Sequence, residues 1–142
     1  MLMREVLPDG FVLVKGRSRT SFRELNSGTV LLTAAGPGEQ SLDVEVLREL
    51  SLVIARCGTL TVFADLSRLS GISLGSSKVA IRWVRQNRSV ILGGHLLVGH
   101  VGVGVAVSMI ASVFGGSVRS YTQPALFEAA IRQLVPMFAG SP

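Results

Sequence analysis

Cysteine is nearly absent from this chain of 142 residues, where Cys57 stands alone. One thiol closes no intramolecular disulfide and cannot furnish a cysteine-rich zinc site, so a reducing cytoplasm is the expected compartment. Aromatic residues are scarce as well: one Trp and one Tyr accompany six Phe, which leaves few rings on which bases could stack. Acidic residues number nine against fourteen basic ones. The resulting charge of +5 and pI near 10.7 favour loose attraction to anions without choosing among nucleic acid, phosphates and acidic proteins. The first ten residues contain Arg4, Glu5, Pro8 and Asp9 and no apolar run of signal-peptide length, so secretion is not expected.

Charge is also missing from residues 89–118, which carry no Asp, Glu, Lys or Arg. Part of that stretch, 96–114, is nearly long enough to cross a bilayer, which takes about 20 apolar residues. It is interrupted by His100, Ser108 and Ser112 and by glycines at 99, 102 and 104, with His95 just before it. Its two halves match a short strand followed by a helix, so a buried element is expected there rather than a transmembrane span.

What is present is ample apolar material. Hydrophobic residues make up 48% of the chain and the mean hydropathy is +0.50, enough buried surface to offset chain entropy and exclude disorder. The length suits one hydrophobic core. A single domain over 1–142 is therefore expected, with its core at about 11–135 and a free tail at 139–142. No internal repeat and no long linker stand out.

Along the chain, Phe11-Val12-Leu13-Val14 and residues 29–34, stopped by Gly36-Pro37-Gly38, read as strands. Residues 17–26 between them are polar and basic and suit a connection, with room for one further short strand. Ser41 is an acceptable N-cap for a helix over 42–57, whose Val46, Leu47, Leu50, Val53, Ile54 and Cys57 recur at helical spacing and which Gly58 ends. Leu60-Thr61-Val62-Phe63-Ala64 reads as a central strand finishing on Asp65. A helix over 78–88 with Val79, Trp83 and Val84 inward, a strand at 96–98, a helix over 101–114 closed by Gly115-Gly116, a strand at 118–121 and a helix opened by Pro124 complete the reading. The order predicts an α/β fold: a mixed, mostly parallel sheet of about five strands flanked by about four helices.

In open α/β sheets ligands and partners meet the loops at the carboxyl ends of the strands, where helix N-termini present unpaired amides. The loop from Asp65 to Ser77 leaves a central strand and enters a helix, which makes Asp65, Ser67, Ser73, Ser76 and Ser77 the candidate regulatory residues. Asp65 could hold the loop through backbone amides. Ser76 or Ser77 could cap the helix or accept a phosphoryl group.

Asp65-Leu66-Ser67, followed by this loop and helix within the strand order above, resembles the STAS domain of anti-sigma-factor antagonists, over about residues 11–134. The resemblance implies a regulatory protein-interaction or ligand-sensing domain, often switched by phosphorylation of a serine where the loop enters the second helix. The family's usual run there is Asp-Ser-Ser/Ala-Gly, whereas this chain has Ser73-Leu74-Gly75-Ser76. The phosphoacceptor position thus falls on Leu74, and a shift of two or three residues brings Ser76 or Ser77 into that role. The departure makes the STAS-like branch similar to the lipid-binding Sec14 group a closer comparison, and that branch implies a fold more than a function.

Three further features bear on function. Lys78, Arg82 and Arg85 are spaced to share one helix face, with Arg88 beyond them and no acid among them, so they could dock an acidic partner or a phosphate-bearing ligand. The segment 15–23 is a second basic stretch, but nucleic acid is not the expected partner. Val101, Val105, Met109 and Val113 lie on a helix apolar nearly all round, which suits a homodimer or partner contact or a peripheral lipid contact. His95 and His100 flank a strand and are expected as strand-end residues rather than as ligands of a shared metal. No catalytic set, metal site or cofactor motif is specified: glycines at 99, 102 and 104 lack the third position of a dinucleotide loop, since 107 is Val. The reading expected from all this is a non-enzymatic cytoplasmic interaction module of STAS-like fold. A small-molecule or lipid-binding domain of the Sec14-like type is the alternative.

Overall fold

A computed structural model of the chain describes residues 1–99, 108 and 117–139. Among the described residues seven strands form one sheet in strictly sequential order: β1 (Met3–Leu7), β2 (Gly10–Lys15), β3 (Ser18–Asn26), β4 (Thr29–Gly36), β5 (Leu60–Leu69), β6 (Ile91–Val98) and β7 (Val118–Tyr121). The first four strands make an antiparallel meander. From β4 onward every pairing is parallel, and each parallel step requires a crossover. Helix α1 (Gln40–Cys57) bridges β4 to β5, α2 (Leu74–Asn87) bridges β5 to β6, and α3 (Pro124–Leu134) follows β7.

The expected α/β class stands, and the sheet is larger than expected. Residues 17–26 are not a connection: Ser18–Asn26 form the nine-residue β3. Ser18, Thr20 and Phe22 point inward and are buried, while Arg19 points out. The period-two pattern is complete, but two of its inward positions are hydroxyl residues rather than apolar ones. β1 also lies outside the expected elements. It is an exposed edge strand whose burial gives almost no hydrophobic signal, tied down by Arg4, whose guanidinium sits 3.9 Å above the Phe11 ring and bonds Glu49 of α1 at 2.6 Å. The boundaries of several elements move too. α1 is capped by Glu39 rather than Ser41, with the Glu39 carboxylate accepting from the Ser41 amide. α2 begins at Leu74 rather than 78, and β5 runs through Asp65 to Leu69. The helix expected over 101–114, with Val101, Val105, Met109 and Val113, lies outside the described residues, as do His100 and the last three positions.

The sheet buries both faces, but differently. On one face α1 and α2 cover Phe11, Leu13, Phe22, Val30, Leu32, Leu60 and Ala64, against which α1 sets Leu42, Val46, Leu50 and Val53. On the other face α3 lays Phe127 and Ile131 on Leu31, Phe63 and Leu97. Among the described residues no helix is long and apolar enough to cross a membrane.

Candidate functional site

The carboxyl ends of β4 and β5 deliver the chain into α1 and α2, so the two helix N-termini lie side by side on one rim of the sheet. Two glycines make the approach close enough. Gly38, at φ +79°, packs its backbone against Gly71, where a Cβ would stand 2.6 Å from the Gly71 carbonyl oxygen. A Cβ on Gly75 would collide with the Gln40 side-chain amide.

A chain of hydroxyls crosses from α2 to α1 at this rim. Ser73 is the N-cap of α2: its Oγ accepts from the Ser76 amide at 3.0 Å and donates to Ser76 Oγ at 2.9 Å. Ser76 faces Asp43, in the first turn of α1, across one pocket. Burial pushes the Asp43 carboxyl above the usual carboxylate range; the Ser76 hydroxyl works against that shift, and the nearby Glu39 carboxylate adds to it. Ser77 Oγ donates back to the Ser73 carbonyl at 3.2 Å, the local bond that helix hydroxyls favour. Ser76 and Ser77 are buried, and Ser73 is exposed.

The expected regulatory residues are therefore not brought together. Asp65 and Ser67 lie at the irregularity in the β4–β5 register between Thr33 and Ala35. The Asp65 carboxylate is engaged locally, accepting from the Ser67 amide at 3.0 Å and the Ser67 hydroxyl at 2.5 Å. Strand alternation turns Asp65 to the α3 face, beside Thr33, Leu97 and Phe127, while the serines stand on the α1–α2 face. The acid that meets them is Asp43, which sequence reasoning missed. Its signal was faint: an acidic residue in the first turn of an expected helix usually serves the helix dipole alone.

Lys78, Arg82, Arg85 and Arg88 are all exposed, and the first three line one open groove with Ile81 and Gln86. Arg82 also borders a second groove along the α1–α2 seam, with Val44, Val79 and Trp83 in its wall. The Trp83 indole N–H is satisfied by Ser51 Oγ at 2.8 Å. The other basic stretch is divided by strand alternation. Lys15 reaches Ser41 at 2.6 Å and Glu39 at 3.4 Å on the α1–α2 face, while Arg23 pairs with Asp9 at 2.7 Å.

His95 belongs inside β6, not at a strand end. Its ring stacks on Phe63 at 4.4 Å between centroids, and its Nδ1 lies 2.8 Å from the Tyr121 hydroxyl. Burial, with a smaller contribution from the Arg119 charge, holds its pKa below the ordinary histidine value.

No protein-family model matches the chain, and neither does any curated protein. Solved structures do match. One is an uncharacterized protein of the DUF3478 family with a SpoIIAA-like fold from Shewanella loihica, at a TM-score of 0.57 and 11% identity over 92% of this chain and 91% of that one. Another is the anti-sigma factor antagonist SpoIIAA in its unphosphorylated form, at a TM-score of 0.57 and 16% identity over 84% of this chain and 99% of that one. At such identities the likeness is one of architecture: the chain has the SpoIIAA-like, STAS-like fold.

Proposed function

We propose that this chain is a non-enzymatic regulatory module of the cytoplasm that docks an acidic protein partner on its α1–α2 side. The observation that carries the reading is the row of exposed cations Lys78, Arg82 and Arg85 on α2 and Arg88 at its C-cap. None of them forms an ion pair among the described residues; Arg17, Arg19, Arg68 and Arg119 share that state but lie on strands and a turn, whereas these four follow one helix. Unpaired charge on a rigid helix, next to the apolar seam of Val44, Val79 and Trp83, supplies both electrostatic steering and a surface worth desolvating. The likeness to an anti-sigma factor antagonist supports a protein as partner, since that structure's name describes action on another protein.

Docking here does not call for a phosphorylated Ser76 or Ser77, because both hydroxyls are buried and bonded. Leu74, the position aligned with the family's phosphoacceptor, is exposed at 66%, and Ser73 beside it is exposed while its Oγ serves as the cap. The rim is accordingly read as a contact surface.

The test is affinity capture with wild-type protein and with the triple variant Lys78→Glu, Arg82→Glu, Arg85→Glu, after circular dichroism shows both folded. A protein retained by the wild type and lost by the variant is the expected result. The same proteins on both columns, or none on either, would overturn the reading.

A further inference from the structure

Helices α1 and α2 lie side by side on the sheet, and an open groove of about 240 Å3 runs along the outer seam between them. Apolar side chains line it from both helices: Val44 and Leu47 from α1, Val79 and Trp83 from α2. Val44 is 44% exposed. Trp83 is the chain's one tryptophan, and its indole N–H already donates to Ser51 Oγ at 2.8 Å. With that donor satisfied inside the protein, the ring offers a partner apolar surface alone.

Cations stand on both sides of this apolar strip. On α1, Arg48 has 74% of its side chain exposed and is paired at 3.8 Å with Glu45, one turn earlier. On α2, Arg82 borders the seam and also a second open groove that it shares with Lys78 and Arg85. The complement of such a surface is an apolar stripe with acids on either flank. Spacing selects its form. Lys78, Arg82 and Arg85 are four and three residues apart, rises of about 6 and 4.5 Å, and acids along a helix laid beside them recur at the same intervals. On a strand, same-face residues recur only every ~6.8 Å, so the second interval would be missed. A second copy of this face would set cation against cation, and the flat surface of a bilayer does not enter a cleft between two helices.

We propose that the α1–α2 seam receives an acidic amphipathic helix of the partner, with its apolar stripe seated on Val44, Val79 and Trp83 and its acids on both flanks. One row of acids faces Arg48, and the other faces Arg82 with Lys78 and Arg85. The groove runs from Val44 to Ser51 on α1, about 10 Å along the helix axis, so a segment of about ten to twelve residues fills it. The inference rests on the docking reading above and adds to it the form of the partner and the α1 wall, which that reading does not use.

The test follows the emission of Trp83 in the full chain, the single tryptophan, during titration with synthetic peptides of Leu, Ala and Glu. One peptide carries Leu at three- and four-residue spacing with Glu on either side; a second has the same composition with Leu at every other position; a third is the first with Lys in place of Glu. The helical acidic peptide should shift the emission and bind roughly tenfold more tightly than either of the others. Arg48→Glu, at an exposed position of α1, should weaken that peptide by about three- to tenfold while the circular dichroism spectrum stays that of the wild type. No emission shift with the helical peptide, equal binding of the alternating or the lysine peptide, or undiminished binding to Arg48→Glu would each overturn the inference. An emission shift produced by phosphatidylglycerol vesicles and not by the helical peptide would overturn it in favour of a membrane surface. None of these results decides the docking reading itself, which falls only if the α2 triple variant captures the same proteins as the wild type or neither captures any.

Discussion

The two faces of the sheet are built to different standards. Beneath α3, rings close on one another: Phe63 lies parallel to His95, His95 to Tyr121, and Phe127 meets both Phe63 and Tyr121 edge-on. Phe63 is wholly buried, and the cavity bordering that cluster is only about 50 Å3. Beneath α1 and α2, by contrast, two half-open pockets of about three times that size run between leucines and small residues, and the partly desolvated Asp43 lines one of them. Tight aromatic packing stores stability, because each ring makes many contacts and its removal leaves a large hole. Open packing forgoes that energy. On the proposed reading the α3 face supports the fold and the α1–α2 face carries recognition.

Truncations should break this comparison most visibly. Phe63→Ala is expected to cost about 3–5 kcal/mol by urea denaturation. Leu47→Ala, at a half-buried position already bordering both cavities, should cost about 2 kcal/mol or less, the low end for a leucine truncation. Equal losses would mean that the faces are equally well packed. Filling sharpens the same contrast: Ala80→Leu should leave stability unchanged or raise it by about 0.5–1 kcal/mol. A loss above about 2 kcal/mol would show overpacking instead of a void.

The pH dependence should differ in sign between Asp43 and His95. Asp43 has a raised pKa in the folded state, so the native protein binds more protons than the unfolded chain between the two values. Stability therefore falls as pH rises through that window, and Asp43→Asn should remove the fall and raise the melting temperature at pH 7. His95 has a lowered pKa, so its contribution is complete above the ordinary value of 6.5 and is lost as pH falls below it. Melting curves of His95→Asn should be flatter than wild type between pH 5 and 7. Glu24, held low by its bonds to Arg56 at 2.6 and 3.1 Å, contributes above the ordinary glutamate value and loses that contribution in acid. The smallest effect on stability belongs to the docking surface: Arg82→Glu and Arg85→Glu should each stay within about 0.5 kcal/mol of wild type, while partner capture is lost.

Much of this frame was legible in the sequence wherever burial and apolarity coincide. The α1 stripe, the apolar β5 and the Pro124 start of α3 all follow from spacing and punctuation. β3 hid because Ser18 and Thr20 occupy inward positions, so polarity and exposure part company there. β1 hid because an edge strand exposed along most of its length needs no hydrophobic alternation; the sheet neighbour and Arg4 hold it instead. The site was harder still. Asp65 stood in the expected motif, but one step of strand alternation puts it through the sheet from Ser76. Asp43 is distant in sequence and meets Ser76 only because Gly38 and Gly75 let two helix starts approach. No local pattern reports a contact between two crossovers.

The most direct test of the division between faces is site-specific photo-crosslinking, with a photoreactive residue placed at Arg82 on α2 or at Arg119 on β7. The account predicts a partner adduct from position 82 and none from 119. An adduct from 119 alone would contradict it and move recognition to the other side of the sheet.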